Sequence, residues 1–387
     1  MQLSVIILNY NVRCFLEQCI LSVQEAISDI DSEIIVIDNN SSDDSCLMIK
    51  ERFPDVKLIE NKENFGFPKG NNIGVAQAKG KYICILNPDT VVAEDTFVKI
   101  LAFAERQNNL GIIGCKLIDG TGNFLPESKR GVPTPWVSFT KIFGLYKVFP
   151  NLKLFNQYYA QHISENETGK VDILVGAFMF MQRALYNELE GFDEKCFMYA
   201  DDIDLSYRAL LKKKDNYYFH ETTILHYKGE STVKDEKYMK RFQEAMSYFY
   251  QKHFRKSLFF SIFIKIGILF FSLLKMFQGK PKVKPSPESY VLYSSDNKLC
   301  GKLSSVLENK VLILDFKKEK MVNSSLILKG KTVEVILDNR HVSFRNCIKI
   351  IESLRDKSIT FKIFPKNAGF IIGSNSRNER GQVIKIE

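Results

Sequence analysis

The chain has 387 residues, enough for two or three domains, and its 45% hydrophobic and 12% aromatic content supports packed cores. Its net charge of +9 is modest, and the excess gathers late, at 253–256 (HFRK) and at Lys275, Lys280, Lys282 and Lys284. That placement suits an anionic surface, membrane or polyphosphate, and lacks the dense basic stripe with interleaved aromatics of a nucleic-acid binder.

The eight cysteines have no CxxC spacing and sit mostly inside apolar runs, so they read as buried free thiols of a reducing compartment. The N-terminus leads directly into a strand, without the basic region and cleavage site of a signal peptide.

Residues 3–8 (LSVIIL) form a continuous apolar run of strand length, as expected for a strand buried on both faces. Asn9-Tyr10-Asn11 ends it, and apolar residues at 15, 16, 19, 20 and 23 predict a helix over 13–28. A second buried strand at 33–37 ends in Asp38-Asn39-Asn40-Ser41-Ser42-Asp43, where Ser42 or Asp43 would cap a helix at 44–53. A third strand at 56–59 leads into a glycine loop, Gly66 to Gly74, whose flexible backbone and adjacent amides permit close approach of a ligand. It is neither GxGxxG nor a P-loop, so alone it is weak. A short helix then reaches Gly80, and a fourth strand at 82–86 ends at Asn87-Pro88-Asp89-Thr90.

Strand–helix alternation at this spacing predicts an α/β fold with a doubly wound, mostly parallel sheet, whose ligands bind beyond the C-terminal strand ends. Asn9, Asp38 and Asp89 all fall there. One aspartate after one strand is ordinary turn chemistry; three such strand ends are harder to assign to turns alone.

A helix is expected over 91–110 and a strand at 111–117. Residues 119–170 are poorly periodic, contain the only tryptophan, Trp136, and read as a long excursion over a cleft. The run 171–181 predicts a strand interrupted at Gly176. Next, Asp201-Asp202-Ile203-Asp204 opens a helical stretch. Acidic groups at a helix start are favoured by the macrodipole, and Asp204 and Arg208 have the i,i+4 spacing of an ion pair. The functional alternative is a carboxylate held at the lip of the cleft as general base. Residues 217–220 and 223–227 predict strands, placing His226 near Asp89 in a reading where both share a cation.

Taken in order, ILNYN at 7–11, VIDNNSSD at 36–43, NFGFPKGNNIG at 64–74, LNPDT at 86–90, CKLIDGTGNFLPES at 115–128, GFDEKCFMYADDIDLSYRA at 191–209 and HYKGEST at 226–232 resemble the family 2 glycosyltransferases, inverting enzymes of the GT-A fold, and within them the bacterial rhamnosyltransferase-like branch. The resemblance covers about 2–250. It implies that Asp38 binds the nucleobase of a nucleotide-sugar. Asn72 and the Gly66–Gly70 backbone would line the ribose and sugar, with Asn9, Asn11 and Asn87 on the same donor side. Asp89 would bind Mg²⁺ or Mn²⁺ with His226 on the metal or diphosphate. Asp202 would be the base, with Asp201 as runner-up. Asn87 departs from the family's first metal-side acid, and Asp201 stands where a glutamate is usual. A hard cation takes many ligands from substrate phosphates, so one carboxylate and one histidine would suffice.

Residues 258–277 (LFFSIFIKIGILFFSLLKMF) approach the length of a membrane span, yet Ser257, Ser261, Lys265, Ser272 and Lys275 fall on one helical stripe. A helix lying in the membrane interface is the favoured reading, with a span or a packed helix as alternatives. After a linker at 279–287, residues 288–387 predict a small α/β unit with strands at 291–293, 311–314, 333–337 and 359–363, a helix at 344–354 and a segment at 369–376 that ends in a glycine-polar loop. The unit resembles, weakly, the nucleotide-fold appendages of some bacterial sugar transferases, and shows no catalytic set.

The resulting expectation is an inverting transferase moving a hexose or deoxyhexose from a UDP- or dTDP-linked donor to a glycan acceptor, lipid-linked by preference, at the cytoplasmic face of the bacterial inner membrane, with no nucleic-acid partner. A sugar nucleotidyltransferase would need a basic glycine-rich loop that 9–13 does not supply. A catalytically dead membrane-associated scaffold would not need the intact Asp38, Asp89, Asp202 and His226.

Overall fold

The computed structural model describes residues 1–195, 197–228, 236–254, 287–315, 332–356, 358–375 and 381–386. The apolar run 258–277, the linker before residue 287, Cys196 and the GEST segment after Lys228 lie outside these described residues.

The N-terminal part comprises β1 (Leu3–Asn9), α1 (Arg13–Ala26), β2 (Ser32–Asp38), α2 (Ser45–Arg52), β3 (Lys57–Glu60), α3 (Gly66–Ala76), β4 (Tyr82–Leu86), β5 (Thr90–Val91), α4 (Thr96–Ala104) and β6 (Leu110–Ile118). It continues through α5 (Pro135–Ile142), α6 (Leu145–Val148), β7 (Gly169–Lys170), β8 (Phe178–Gln182), α7 (Arg183–Glu188), α8 (Asp201–Leu211), β9 (Asp215–His226) and α9 (Glu236–His253). The sheet runs β3-β2-β1-β4-β8-β6-β9-β5, with β7 beside β9. Strands β3, β2, β1 and β4 are mutually parallel, β8 is antiparallel to both its neighbours, and β6 pairs β9 in parallel. This is the mixed, mostly parallel α/β sheet expected from the sequence. The uninterrupted apolar runs become strands covered on both faces: β1 and β4 carry Val5, Ile6, Ile7, Ile83, Cys84 and Ile85 at 0% exposure. Helix α1 buries Phe15, Leu16, Cys19, Ile20 and Val23 along the face its periodicity announces.

Three local expectations are corrected. The glycine stretch at 66–74 is a helix, α3, not a loop. Its glycines serve packing: a Cβ at Gly70 would lie 2.4 Å from Leu8, and one at Gly74 2.4 Å from Ile37, so α3 seats closely on β1 and β2. Of 171–181 only residues 178–181 lie in a strand, β8, because the preceding residues leave the sheet; Ile173 bridges Arg130 and the Gly176 amide donates to Asp202. The two runs at 217–227 are one strand, β9, whose pairing with β6 slips between Cys115 and Lys116. That irregularity breaks the alternation in the sequence.

A second sheet is built from β10 (Ser289–Tyr293), β11 (Val311–Leu314), β12 (Val333–Asp338), β13 (Ile359–Phe364), β14 (Phe370–Gly373) and β15 (Gln382–Lys385), ordered β11-β10-β12-β13-β14-β15. The first four are parallel, and β14 and β15 return antiparallel. Helices Asn297–Val306 and Phe344–Ser353 belong to it, the first without a counterpart in the sequence expectations. One apolar cluster joins the two sheets: Val12, Phe15, Val91 and Leu225 pack with Phe344, Cys347, Ile348 and Ile351. Polar contacts frame it. Lys116 pairs with Glu352 at 2.7 Å, and the Glu94 carboxylate accepts from the amides of Phe344 (2.6 Å) and Arg345 (2.8 Å) at the start of helix Phe344–Ser353.

Candidate functional site

The chain order places the topological switch of the main sheet at β1. From there β2 and β3 go one way and β4 the other. A crevice opens beyond the carboxyl ends of β1 and β4, where such sheets bind ligands. It is a cleft of about 270 Å³ bordered by Leu8, Tyr10, Asn39, Asn64, Gly66, Phe67, Asn87, Pro88 and Asp89 on the strand-end side. Arg130, Val175, Gly176, Ala177, Met198, Tyr199, Asp201, Asp202 and His226 close the other side.

Asp89 and His226 meet because β5 runs antiparallel to β9, with Thr90 opposite His226 and the Tyr227 amide donating to the Asp89 carbonyl at 3.0 Å. Their side chains stand 3.3 Å apart, Oδ1 to Nε2, and both are buried. Among the described residues no cluster of three His, Cys, Asp or Glu side chains could hold a metal. The pair nonetheless fits a hard divalent cation that draws its remaining ligands from phosphate and water: two adjacent lone-pair donors, one anionic, at the mouth of a cleft.

The three aspartates opening α8 divide their work. Asp204 points away from the cleft to Arg208 (2.7 Å), Lys252 (2.9 Å) and His253 (2.6 Å), tying α8 to α9. Burial opposes ionisation there, but the His253 hydrogen bond and the Arg208 and Lys252 charges outweigh it and pull the carboxyl down to about 2. Asp201 and Asp202 face the cleft. Burial, reinforced by the neighbouring Asp202 charge, pushes the Asp201 carboxyl up to about 7. Asp202 is held instead by partners: Arg130 Nη2 donates to its Oδ2 at 2.6 Å, and the Gly176 amide donates to the same oxygen at 3.1 Å. Burial would lower the Arg130 pKa, but the Asp202 charge raises it. A carboxylate fixed by an arginine and a backbone amide thus stands beside a second one, Asp201, that burial pushes up to about 7.

The approach to this pair is strained. Tyr199 has φ 89°, a left-handed backbone that side chains resist. The segment before it lies directly on α3: the Phe67 amide donates to the Phe197 carbonyl at 3.1 Å, and a Cβ on Gly66 (φ +79°) would meet that carbonyl oxygen at 2.6 Å. Only glycine fits at Gly66.

Of the residues singled out in the sequence, Gly66, Asn87, Asp89, Asp201, Asp202 and His226 line the cleft. The others do not. Asn9 is buried beneath, donating to Asp38 (2.7 Å) and Ser41 (3.1 Å). Asp38 sits at the end of β2, its oxygens taken by Asn9 and by the Ser41 amide and hydroxyl. Asn11 braces the same turn through the Ser42 amide at 2.7 Å. Gly70 packs on Leu8. Asn72 is a strut: it donates to the Phe192 carbonyl and Glu194 and accepts from Tyr186 Oη (2.6 Å) and the Phe192 amide (3.0 Å). It secures the segment that delivers Met198 to Asp202, without reaching the cleft.

Arg130 is the residue the sequence did not announce. It follows Glu127 in a proline-rich excursion without periodicity, and only the fold brings it to Asp202. No local signal singles it out: Lys129 stands directly beside it, and nothing in the spacing points to Asp202.

Residues 4–189 match the family described as Glycosyl transferase family 2. An N-acetylglucosaminyl-diphospho-decaprenol L-rhamnosyltransferase of Mycobacterium tuberculosis is 23% identical over 244 residues, 60% of this chain and 78% of that protein. The rhamnosyltransferase WbbL of Escherichia coli is 28% identical over 174 residues, 42% of this chain and 61% of that protein. Among solved structures, the mannosyltransferase PcManGT of Pyrobaculum calidifontis in complex with GDP-Man and Mn²⁺ aligns with a TM-score of 0.46 at 16% identity, over 72% of this chain and 76% of that one. The matched region, residues 4–189, contains β1 to β4 and the Asp89 strand end, so the part of the chain on which the cleft is built is the part similar to the glycosyltransferases of family 2.

Proposed function

We propose that this enzyme is an inverting transferase that moves a hexose or deoxyhexose from a nucleotide-sugar, UDP- or dTDP-linked, to a lipid-linked glycan acceptor at a membrane surface. The observation that carries the reading is the convergence in one cleft of the Asp89–His226 pair, 3.3 Å apart, and the Asp202 carboxylate fixed by Arg130 at 2.6 Å. The lipid-linked acceptor draws its support from the mycobacterial relative, whose name specifies a diphospho-decaprenol acceptor. The basic-flanked apolar run at 258–277 supports the membrane setting.

In this reading Asp202 takes the proton of the acceptor hydroxyl, and the hydroxyl oxygen attacks the anomeric carbon from the face opposite the nucleoside diphosphate. The bond from that carbon to the diphosphate oxygen breaks with inversion. A positioned carboxylate base contributes about 10²–10⁴-fold. Arg130 orients Asp202, and Asp201, whose carboxyl burial pushes up to about 7, limits the negative charge beside it. Asp89 and His226 would hold Mg²⁺ or Mn²⁺, which when bound supplies positive charge to the leaving diphosphate.

The test is release of nucleoside diphosphate by the detergent-solubilised full chain from a panel of UDP-, dTDP- and GDP-sugars with Mg²⁺ or Mn²⁺. Nucleoside diphosphate from a UDP- or dTDP-sugar, and a product of opposite anomeric configuration by NMR, is the expected result; release from GDP-sugars alone overturns the donor assignment. Release of pyrophosphate, a retained configuration, or turnover of none of the panel overturns it.

A further inference from the structure

Between Ser128 and Ser164 the chain has no Asp or Glu, and carries Lys129, Arg130, Lys141, Lys147 and Lys153. Its apolar residues do not retreat into the core. Of twelve large apolar side chains exposed among the described residues, five fall between 136 and 154, with Trp136, Val148, Phe149, Leu152 and Leu154 at 42–66% exposure. Monomeric soluble surfaces rarely concentrate apolar groups so closely, and such patches mark interaction sites.

The patch is ordered. Trp136 packs against Phe139 (5.4 Å) and Phe155 (5.9 Å), Phe149 against Phe155 (5.2 Å), and the Trp136 indole donates to the Leu154 carbonyl at 2.8 Å. Lys147 and Lys153 are exposed among these side chains. An apolar-aromatic face edged by lysines and lacking acids complements an anionic lipid surface: rings and aliphatic chains enter the headgroup boundary while ammonium groups stay at phosphate level.

Its position in the fold gives it a purpose. The Gly131 amide donates to the carbonyls of Gln157 (3.0 Å) and Tyr158 (3.2 Å), closing the excursion at its base. The residue before Gly131 is Arg130, which holds Asp202. The end of α9 lies alongside, with Tyr250 Oη donating to the Pro133 carbonyl at 2.6 Å, and Phe254 is the last described residue before the apolar run 258–277.

We propose that residues 136–155 form a membrane-docking surface that seats on anionic lipid and turns the Arg130–Asp202 side of the cleft toward it. That the docked side is the acceptor side rests on the proposed role of Asp202; lipid binding itself does not.

Trp136 is the only tryptophan of the chain, so its fluorescence reports on this patch alone. Full-length protein is titrated with vesicles of phosphatidylcholine, with and without phosphatidylglycerol, and with acyl-brominated lipid. The expected result is a blue shift with anionic vesicles, a much smaller one with neutral vesicles, and quenching by bromine. Lys147→Glu with Lys153→Glu should weaken the fluorescence-detected partition on the order of tenfold or more. Phe149→Ser with Leu152→Ser should abolish quenching while circular dichroism stays native. Two outcomes overturn the proposal: vesicle binding with Trp136 neither shifted nor quenched, or a blue shift without vesicles that tracks dimer formation in sedimentation velocity. Nucleoside diphosphate release is measured on the same samples without vesicles, where these variants should match wild type. A lipid-dependent shift with no release in any protein would retain the docking surface and dismiss the transferase reading.

Discussion

Arg130 and Asp202, 72 residues apart in the chain, form a 2.6 Å ion pair in which both side chains are only 12% exposed. The arginine also donates to the Leu174 carbonyl at 3.1 Å, so its guanidinium is anchored independently of the carboxylate. Removing either partner leaves the other charge buried and unmatched. Arg130→Ala should therefore lower both turnover and stability, by about 3–5 kcal/mol for the latter. A denaturant titration beside an activity assay measures both, and an unchanged midpoint would show the pair to be dispensable.

Asp202→Asn should cut turnover by about 10²–10⁴ while donor binding, followed by thermal shift with nucleotide-sugar, stays intact. Asp201→Asn should be milder. The reverse ranking would move the base to Asp201.

The Asp89–His226 pair predicts metal dependence. Asp89→Asn and His226→Asn should each weaken activation by Mn²⁺ while thermal unfolding stays close to wild type. EDTA should remove turnover and excess Mg²⁺ or Mn²⁺ restore it. Full turnover in chelator would exclude the cation from the reaction.

Asp201 makes stability depend on pH in a stated direction. Its folded carboxyl titrates at about 7, above its ordinary 3.8. The folded state therefore binds the proton more tightly than the unfolded state. This contribution is fully present below the unfolded value and lost as pH rises through about 7. Asp201→Asn cannot ionise, so its melting temperature relative to wild type should rise between pH 5 and pH 8. The change should be on the order of 1–4 kcal/mol, at about 2–4 °C per kcal/mol. A flat difference would place the proton elsewhere.

Gly66→Ala sets a Cβ 2.6 Å from the Phe197 carbonyl oxygen at a φ of +79°. Roughly 1–3 kcal/mol of stability should be lost, and turnover with it, because the displaced segment carries Tyr199 to Asp201. Crystallography of the variant, or its denaturation midpoint, decides this; a neutral midpoint would show that the 197–199 segment yields without cost.

Much of the main sheet was legible because parallel strands buried on both faces write themselves as apolar runs, as at 3–8 and 82–86. The strand-end residues Asn87 and Asp89 followed from the same logic, and Asp204 paired with Arg208 as its spacing announced. What stayed hidden was set by packing at a distance. The glycines of α3 look like a loop until Leu8 and Ile37 are seen against them. Asn72 looks like a ligand group until its amide is found spent on Phe192 and Tyr186. Arg130 carries no local signature, since its partner belongs to another part of the chain. In the C-terminal sheet, helix Asn297–Val306 and strand β15 were missed where short, mixed segments gave no clear period.

The Glu94 carboxylate, five residues beyond Asp89, closes the start of helix Phe344–Ser353 in the other sheet. The C-terminal third is therefore not a module that can be exchanged freely. A recombinant that acquired a different third would leave Glu94 facing no amides, and would turn Val12, Phe15, Val91 and Leu225 toward solvent unless the newcomer brought a matching apolar face. An exchange that keeps the fold intact has to carry both halves of this seam together. The variation tolerated in the C-terminal sheet is thus filtered by a surface that begins a few residues from the Asp89 strand end.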